Sequence, residues 1–525
     1  MHAWCCSALC LCVVAACQAQ ETFDLQGLVD RGVAAGQKTI TIPPGRHRVA
    51  PHDRQHLVLR GLRDLTIVAD GAELVCTETT RALSIADCAN LTLRGLTIDY
   101  DPLPFTQGRI VALSADKKVH DIELLDGYPP AAEARNFKYE IFTPDTRLLR
   151  CGDHYPAKVE PTGERGLRIT MNQGAASDPE QVGDIIAIGA EHAPHGSIPH
   201  AVEVANSSGV RLEQITLYAS NCFGFLEYNC DGSIYDRCRI DRRAAADDPV
   251  KRADPRVRSL DADAYHSKHA RRGPSYLGCT ARFMGDDGVN ICGDYHLVAA
   301  ANGAELRVLA KHQLNIAAGD DVELLTYDGR RLPNAKVVSL TRQDTITDEE
   351  RAWLVRQRMD EGLRTRECRE AWRITLDRAV DLPRGSLIAS AQRMGNGFGV
   401  VGCEFGYNRS RGILIKASDG VVANCRLTGN WGPAILCSPE FWWLESGSSN
   451  NVAIRDNEIS DCHSRALVVE AVGGAGLFTG TPAAAGAHNN IAVTGNTLRG
   501  GPQPSVVLTS ILGLTLTGNR YLDLP

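Results

Sequence analysis

The sequence predicts an all-β chain: a right-handed parallel β-helix interrupted by two inserted antiparallel β-barrel modules. Three observations carry that prediction. Short runs of alternating apolar and polar residues crowd the chain, among them Thr39 to Ile42, Leu57 to Leu59, Leu65 to Val68, Leu83 to Ile85 and Leu96 to Ile98, and runs this short and frequent form sheets. The runs also recur in kind. Asp64-Leu65-Thr66-Ile67 returns 26 residues later as Asn90-Leu91-Thr92-Leu93, Gly402-Cys403-Glu404-Phe405 returns after 22 as Asn424-Cys425-Arg426-Leu427, and Gly495-Asn496 returns after 23 as Gly518-Asn519. A period of this size marks a solenoid. Finally, the long 3.6-periodic apolar stripes that helical repeats need are missing, so three short strands per turn separated by Gly, Asn and Asp is the reading that fits.

The chain has 525 residues, 43% hydrophobic and 23% charged, with a net charge of −7, a composition of ordinary globular proteins that argues against nucleic-acid binding. Residues 1–19 read as a signal peptide, with an uncharged apolar run from Leu9 to Ala16 too short to span a membrane. Lipid attachment at Cys17 is the competing exit. Export is the expectation either way, to the periplasm, the cell surface or the medium, and no other segment could cross a bilayer. Residues 21–102 then supply a short amphipathic helix (Leu25, Leu28, Val29, Val33) that would blunt one end of the solenoid, followed by the first coils. Longer, antiparallel-looking strands between polar loops break the rhythm over 103–200 and again over 294–394, and these are the two inserted barrels. The central coils occupy 201–293 and the C-terminal coils 395–525. Five of the 18 cysteines belong to the leader. The remaining thirteen are an odd, scattered set beside short β runs, as in Asp87-Cys88, Gly278-Cys279 and Asn424-Cys425, so they read as small buried hydrophobes rather than disulfides or zinc ligands.

Chemistry concentrates at Asp263-Ala264-Tyr265-His266 and Gly285-Asp286-Asp287-Gly288-Val289-Asn290. With a coil of about 22 residues, Asp263 and Asp286 fall on neighbouring turns separated by roughly 4.8 Å, the spacing of paired strands. Consecutive strand residues point to opposite faces, so Asp286 and Asp287 can share one face only at a bend, which Gly285 and Gly288 would permit. His266 stands beside Asp263 as a donor to a ligand hydroxyl or as an inconsequential histidine. Arg411 and Lys416 lie in the coils that resume after the second insert. Trp442 and Trp443 would divide into one packed ring and one exposed platform, and Glu445, more than Glu440, would accept ligand hydroxyls. A second tripeptide, Gly319-Asp320-Asp321, has a counterpart in Gly183-Asp184 of the first insert, so it reads as a turn of the barrels.

These motifs resemble the β-helical glycoside hydrolases, related in pattern to polygalacturonases of the pectin-lyase-like fold. Met284 to Ile291, Arg411 to Ser418 and Ser438-Pro439-Glu440-Phe441-Trp442-Trp443 resemble, more closely, glycoside hydrolase family 110, the α-1,3-galactosidases. The resemblance implies an inverting exo-enzyme that removes terminal α-1,3-linked galactose from a carbohydrate and needs no metal or cofactor. It places the catalytic aspartates on Asp263, Asp286 and Asp287, with Asp286 as acid and the other two sharing the base. His266, Arg411, Lys416, Trp442 and Glu445 are the substrate-binding candidates.

The same residues leave two other classes open. A β-helical lyase would use the aspartates for calcium and a Lys or Arg as base, giving an unsaturated product, and a non-catalytic adhesin would bind glycan without releasing monosaccharide. An endo-acting galactan or pectin hydrolase stays open too, as do the aglycone and the oligomeric state, monomer or homodimer. The second barrel leaves the solenoid at about Asp294, seven residues after Asp287, so it is expected to wall off one end of the groove and leave a pocket for a chain end.

Overall fold

The computed structural model describes residues 22–523 except 191–199, 344 and 473–480. Both leader readings, the signal peptide and Cys17, lie outside the described residues. Three parallel sheets run the length of the solenoid, two of eleven strands and one of ten that also takes an antiparallel partner, Glu445–Ser446, off its path. Their registers stack like residues on like. On one sheet Leu93, Leu212, Tyr235, Tyr276, Val400, Val422, Ile454 and Val493 lie in line through successive pairings, and all are buried. This is the period of the sequence turned into one continuous apolar column. The helix Leu25–Ala34 covers one end. Asp24 caps it by accepting from the Gly27 amide, and Leu25 and Val29 are buried against the first coils.

The cysteines have a specific place. Cys238, Cys279, Cys403 and Cys425 each follow a residue with positive φ at the same corner of the coil, and their thiols donate to a carbonyl of the coil before: Leu212, Tyr235, Tyr276 and Val400 at 3.2–3.4 Å. Farther along the same corner is occupied by Asn457, Asn496 and Asn519, whose side-chain amides donate to Val422, Ile454 and Val493. Gly-Cys and Gly-Asn are thus two solutions to one problem, satisfying a buried carbonyl at a tight corner. The twelve cysteines whose side chains are described are free and buried.

Both inserts leave between paired coils, for Val202 pairs with Leu83 across the first and Ser275 with Gly399 across the second. They differ in closure. The second, from His296–Asn302 to Leu387–Ser390, is a closed six-stranded barrel. The first, from Phe105–Leu113 to Ile185–Ala190, is a half-barrel whose seven antiparallel strands do not close. Sequence reasoning also missed a helix in the second module, Asp348–Leu354, although Thr347 and Glu350 form a capping box, a signal legible in Thr-Asp-Glu-Glu. The second Gly-Asp is a turn, as expected: Asp320 accepts from the Ala317 amide at 2.9 Å just as Asp184 accepts from Gln181 at 2.8 Å.

Candidate active site

The site sits where three coils turn into one parallel sheet, in the strands Tyr265–Lys268, Val289–Asp294 and Ile413–Ile415. Alternation sends Tyr265, Val289 and Ile413 inward. Tyr265 stacks on Phe225 with ring centroids 5.2 Å apart, a firm floor under the turn. His266 and Asn290 point outward into a cavity of about 720 Å³. The register is Tyr265 on Val289, a coil of 24 residues here, so Asp263 stacks on Asp287 and not, as the 23-residue count implied, on Asp286. Arg411 follows on the next coil.

The three carboxylates nevertheless converge. One oxygen from each of Asp263, Asp286 and Asp287 lies within 4.8 Å of the others. The flanking glycines act through close packing and not through special dihedrals: a Cβ on Gly285 would stand 2.6 Å from the Asp261 carbonyl, and one on Gly288 would stand 2.4 Å from that of Gly412. Fully buried Asn408 fixes the turn from the following coil, donating to the Asp286 carbonyl at 2.8 Å.

Each carboxylate has different company. Asp263 accepts from His266 Nδ1 at 2.7 Å and from the Asp287 amide at 3.3 Å. Burial, and then the charge of Asp286, push its carboxyl up to about 8. Asp287 accepts from the Arg411 amide and guanidinium, both at 2.9 Å. Burial and its two acidic neighbours still hold it well above the usual carboxylate range. Asp286 differs. Burial opposes its ionisation, but Lys138 at 2.9 Å, Arg409 at 3.8 Å and Arg411 outweigh that and hold it below the usual range. The sequence reading made Asp286 the protonated member. Here burial and the acidic neighbours favour a proton on Asp263 and Asp287, while Lys138 from the first insert, Arg409 and Arg411 favour an ionised Asp286 in the free protein.

Of the substrate-binding candidates, His266, Arg411 and Glu445 line the cavity. His266 is stacked on Phe223 at 4.7 Å, and burial lowers its imidazole to about 3, so the neutral ring spends its Nδ1–H on orienting Asp263. Arg411 bridges Asp287 and Glu440, at 2.9 and 3.0 Å. Lys416 does not reach the cavity. Fully buried, it lies behind the wall and holds Glu440, Glu445 and Asn290 at 2.7, 2.6 and 3.0 Å. The tryptophans also fall differently. Phe441 is the buried ring of Phe441–Trp443, both indoles are about half exposed, and Trp443, rather than Trp442, lines the cavity.

The cavity wall differs from the expectation as well. Lys138 and Tyr155 come from the first insert, and no lining residue comes from the barrel strands of the second. That barrel works at one remove. Its Lys311 donates to the Trp443 carbonyl at 2.7 Å, its Asp360 amide donates to that of Trp442, and Tyr295 stacks on Phe441, so it holds the segment that carries Glu440, Trp443 and Glu445. Sequence reasoning also missed Asn221, Phe223, Asn290 and Arg409. Coil register could have found the first two, since Phe225 pairs with Tyr265 and residues 221–223 therefore lie under 261–263.

Among the described residues, two sets offer metal-ligand atoms within 4.8 Å, the aspartate trio and His266 with Cys292 and Glu445. Cations already neutralise both: Lys138, Arg409 and Arg411 beside the first, Lys416 and Lys268 at 2.6 and 3.4 Å from Glu445 beside the second. A divalent ion there would meet ammonium groups at bonding distance from its ligands, so these residues do not fit one.

The carboxylate cluster thus lies in a walled cavity on the outward face of a β-helix sheet, and comparison with known proteins shows what the chain is similar to. Residues 387–521 match the family model of the right-handed β-helix region. The chain is similar to α-1,3-galactosidase A of Shewanella woodyi, 20% identical over 489 residues, covering 88% of this chain and 74% of the relative. It is also similar to α-1,3-galactosidase B of Bacteroides thetaiotaomicron, 23% identical over 498 residues, covering 89% and 75%. Among solved structures, the A-module of a mannuronan C-5 epimerase from Azotobacter vinelandii superimposes with a TM-score of 0.40 at 12% identity, over 95% of this chain and 90% of that one.

Proposed function

We propose that the chain is an exo-acting, inverting α-galactosidase that removes terminal α-1,3-linked galactose. The observation that carries this reading is the convergence of Asp263, Asp286 and Asp287 at the floor of one cavity. The two galactosidase relatives, similar across nearly the whole chain, suggest the sugar and linkage. Inversion needs one carboxyl to protonate the leaving oxygen and a carboxylate to activate water on the opposite face of the ring. Crowding supplies both, since three carboxylates this close cannot all ionise.

In the free protein the Asp263–Asp287 pair keeps the proton and Asp286 is an ion. Asp286 is the most open of the three, its side chain 28% exposed against 6% and 1%, and so the one a leaving oxygen can reach. A sugar entering beside it loosens the Lys138 contact and removes water, which favours the neutral acid. The proton then passes across the cluster to Asp286 and from there to the leaving oxygen. The Asp263–Asp287 pair, now ionised, takes a proton from the attacking water. No covalent intermediate forms and the atoms balance: water enters, and galactose and the shortened glycan leave.

The half-barrel on one side and the 438–449 segment on the other support attack at chain ends. Digesting a long α-galactan and following its size distribution tests this. Galactose should accumulate with little change in polymer length. Rapid collapse into mid-sized oligomers would mark an endo-enzyme, and an unsaturated, ultraviolet-absorbing product would mark a lyase.

A further inference from the structure

The half-barrel does more than wall the cavity. Its strand Ala134–Phe142 crosses directly over the catalytic turn, and alternation places Lys138 and Glu140 on the face toward the turn while Tyr139 packs into the module's own core. Glu140 docks the strand. Its carboxylate meets Arg258 at 2.8 Å, and the same guanidinium nitrogen meets Asp261 at 2.9 Å, two residues before Asp263. Arg258 and Glu140 are almost wholly buried, so the strand is locked to the coil by an ion pair that is strongly destabilising to break. Lys138 is thereby delivered with its ammonium between the Asp261 carbonyl, at 3.1 Å, and Asp286, at 2.9 Å.

We propose that Lys138 is a positioning residue of the site, held there by the inserted module to fix the place and charge of Asp286 beside Asp263 and Asp287. This deepens the glycosidase reading and rests on it. The groups bearing on Asp286 are Lys138 from the insert, Asp263 and Asp287 from the coils, and Arg409 and Arg411 from the resumed coil; Asp286, Asp261 and Arg409 bear on Lys138. Arg411 is shared between Asp287 and Glu440, and Arg409 stands farther off and also donates to the Tyr155 hydroxyl. Among the described residues, Lys138 is the cation in hydrogen-bond contact with Asp286. Deleting its charge leaves three carboxylates facing one another, and the cluster binds protons more tightly. The sign follows: a second proton is taken up at higher pH, and the doubly protonated cluster keeps one carboxylate where the Asp263–Asp287 base needs both ionised.

The test compares wild type with Lys138→Met, Lys138→Arg, Asp286→Asn and Lys138→Met/Asp286→Asn. On an α-1,3-galactoside, Lys138→Met should move the acid limb of the kcat/KM profile upward by one pH unit or more, losing more activity at pH 5 than at pH 7.5, and Lys138→Arg should restore the wild-type limb. Activity-independent melting curves read the same contact. Lys138→Met should lower Tm at pH 7.5 and progressively less toward pH 4, where Asp286 protonates in the variant, and that pH-dependent deficit should vanish in the Asp286→Asn background. An equal Tm loss at every pH and in both backgrounds would overturn the proposal. So would an unmoved acid limb in an active variant. If wild type hydrolyses no galactoside, the functional reading fails, and the melting cycle still decides whether Lys138 acts on Asp286.

Discussion

Asparagine at Asp263, Asp286 or Asp287 is expected to lower turnover of an α-galactoside by about 10²–10⁴-fold while the fold survives. Asparagine keeps the shape and one acceptor oxygen, so the bonds from His266 to Asp263 and from the Arg411 amide to Asp287 can still form. What it removes is the exchangeable proton. The three variants should also differ in kind. If Asp286 delivers the proton, an aryl galactoside with an acidic phenol as leaving group should restore much of the rate to Asp286→Asn and little to the other two. Rescue of Asp263→Asn instead would move the acid to Asp263. Asp320→Asn is the control, since Asp320 shapes a barrel turn by accepting from Ala317, and its turnover should match wild type.

The same cluster should leave a mark on stability. The Asp263 carboxyl stands at about 8 in the folded protein, through burial first and Asp286 second, against about 3.9 for an unfolded aspartate. A folded value raised above the unfolded one stabilises the protein fully below the unfolded value, and that stabilisation is lost as pH rises through the folded value. Asp287 acts in the same direction, and Asp286, held low by its cations, in the opposite one. Asp263→Asn carries no titration at this position. Its Tm relative to wild type should therefore rise between about pH 4 and pH 8, making the inactive variant the relatively more stable protein at neutral pH. A Tm difference independent of pH would mean that Asp263 is an ordinary, ionised carboxylate. Activity should likewise fall as pH passes about 8, where the cluster gives up the proton that the leaving group needs.

The solenoid was legible because its period is local. Each coil repeats the same small-residue corner and the same alternation, and Gly402-Cys403 or Gly495-Asn496 is recognisable without knowing what packs on it. The three clustered aspartates were legible for the same reason, as bend residues on two successive coils. Their pairing was offset by one because the coil lengthens to 24 residues at the site, a change that a nominal period of 22 cannot reveal. Lys138 and Tyr155 left no trace, since a residue inside an insert carries no register with the coils it will face. Lys416 misled for an electrostatic reason. Its place in the resumed coil was read correctly, but an exposed lysine and a lysine buried between Glu440 and Glu445 look alike in sequence. Trp442 and Trp443 are adjacent, and which one turns to the cavity is set by Lys311 and Asp360 gripping their carbonyls from the second barrel.

In the proposed reaction a carboxylate pair delivers water while a third carboxyl protonates the leaving oxygen. Proton NMR of the first minutes of hydrolysis of a terminal α-1,3-linked galactoside tests it most directly. The account predicts β-galactose as the first anomer, converting only later to the equilibrium mixture. Initial release of α-galactose would contradict it, because it would require a covalent galactosyl intermediate on one of the same three aspartates.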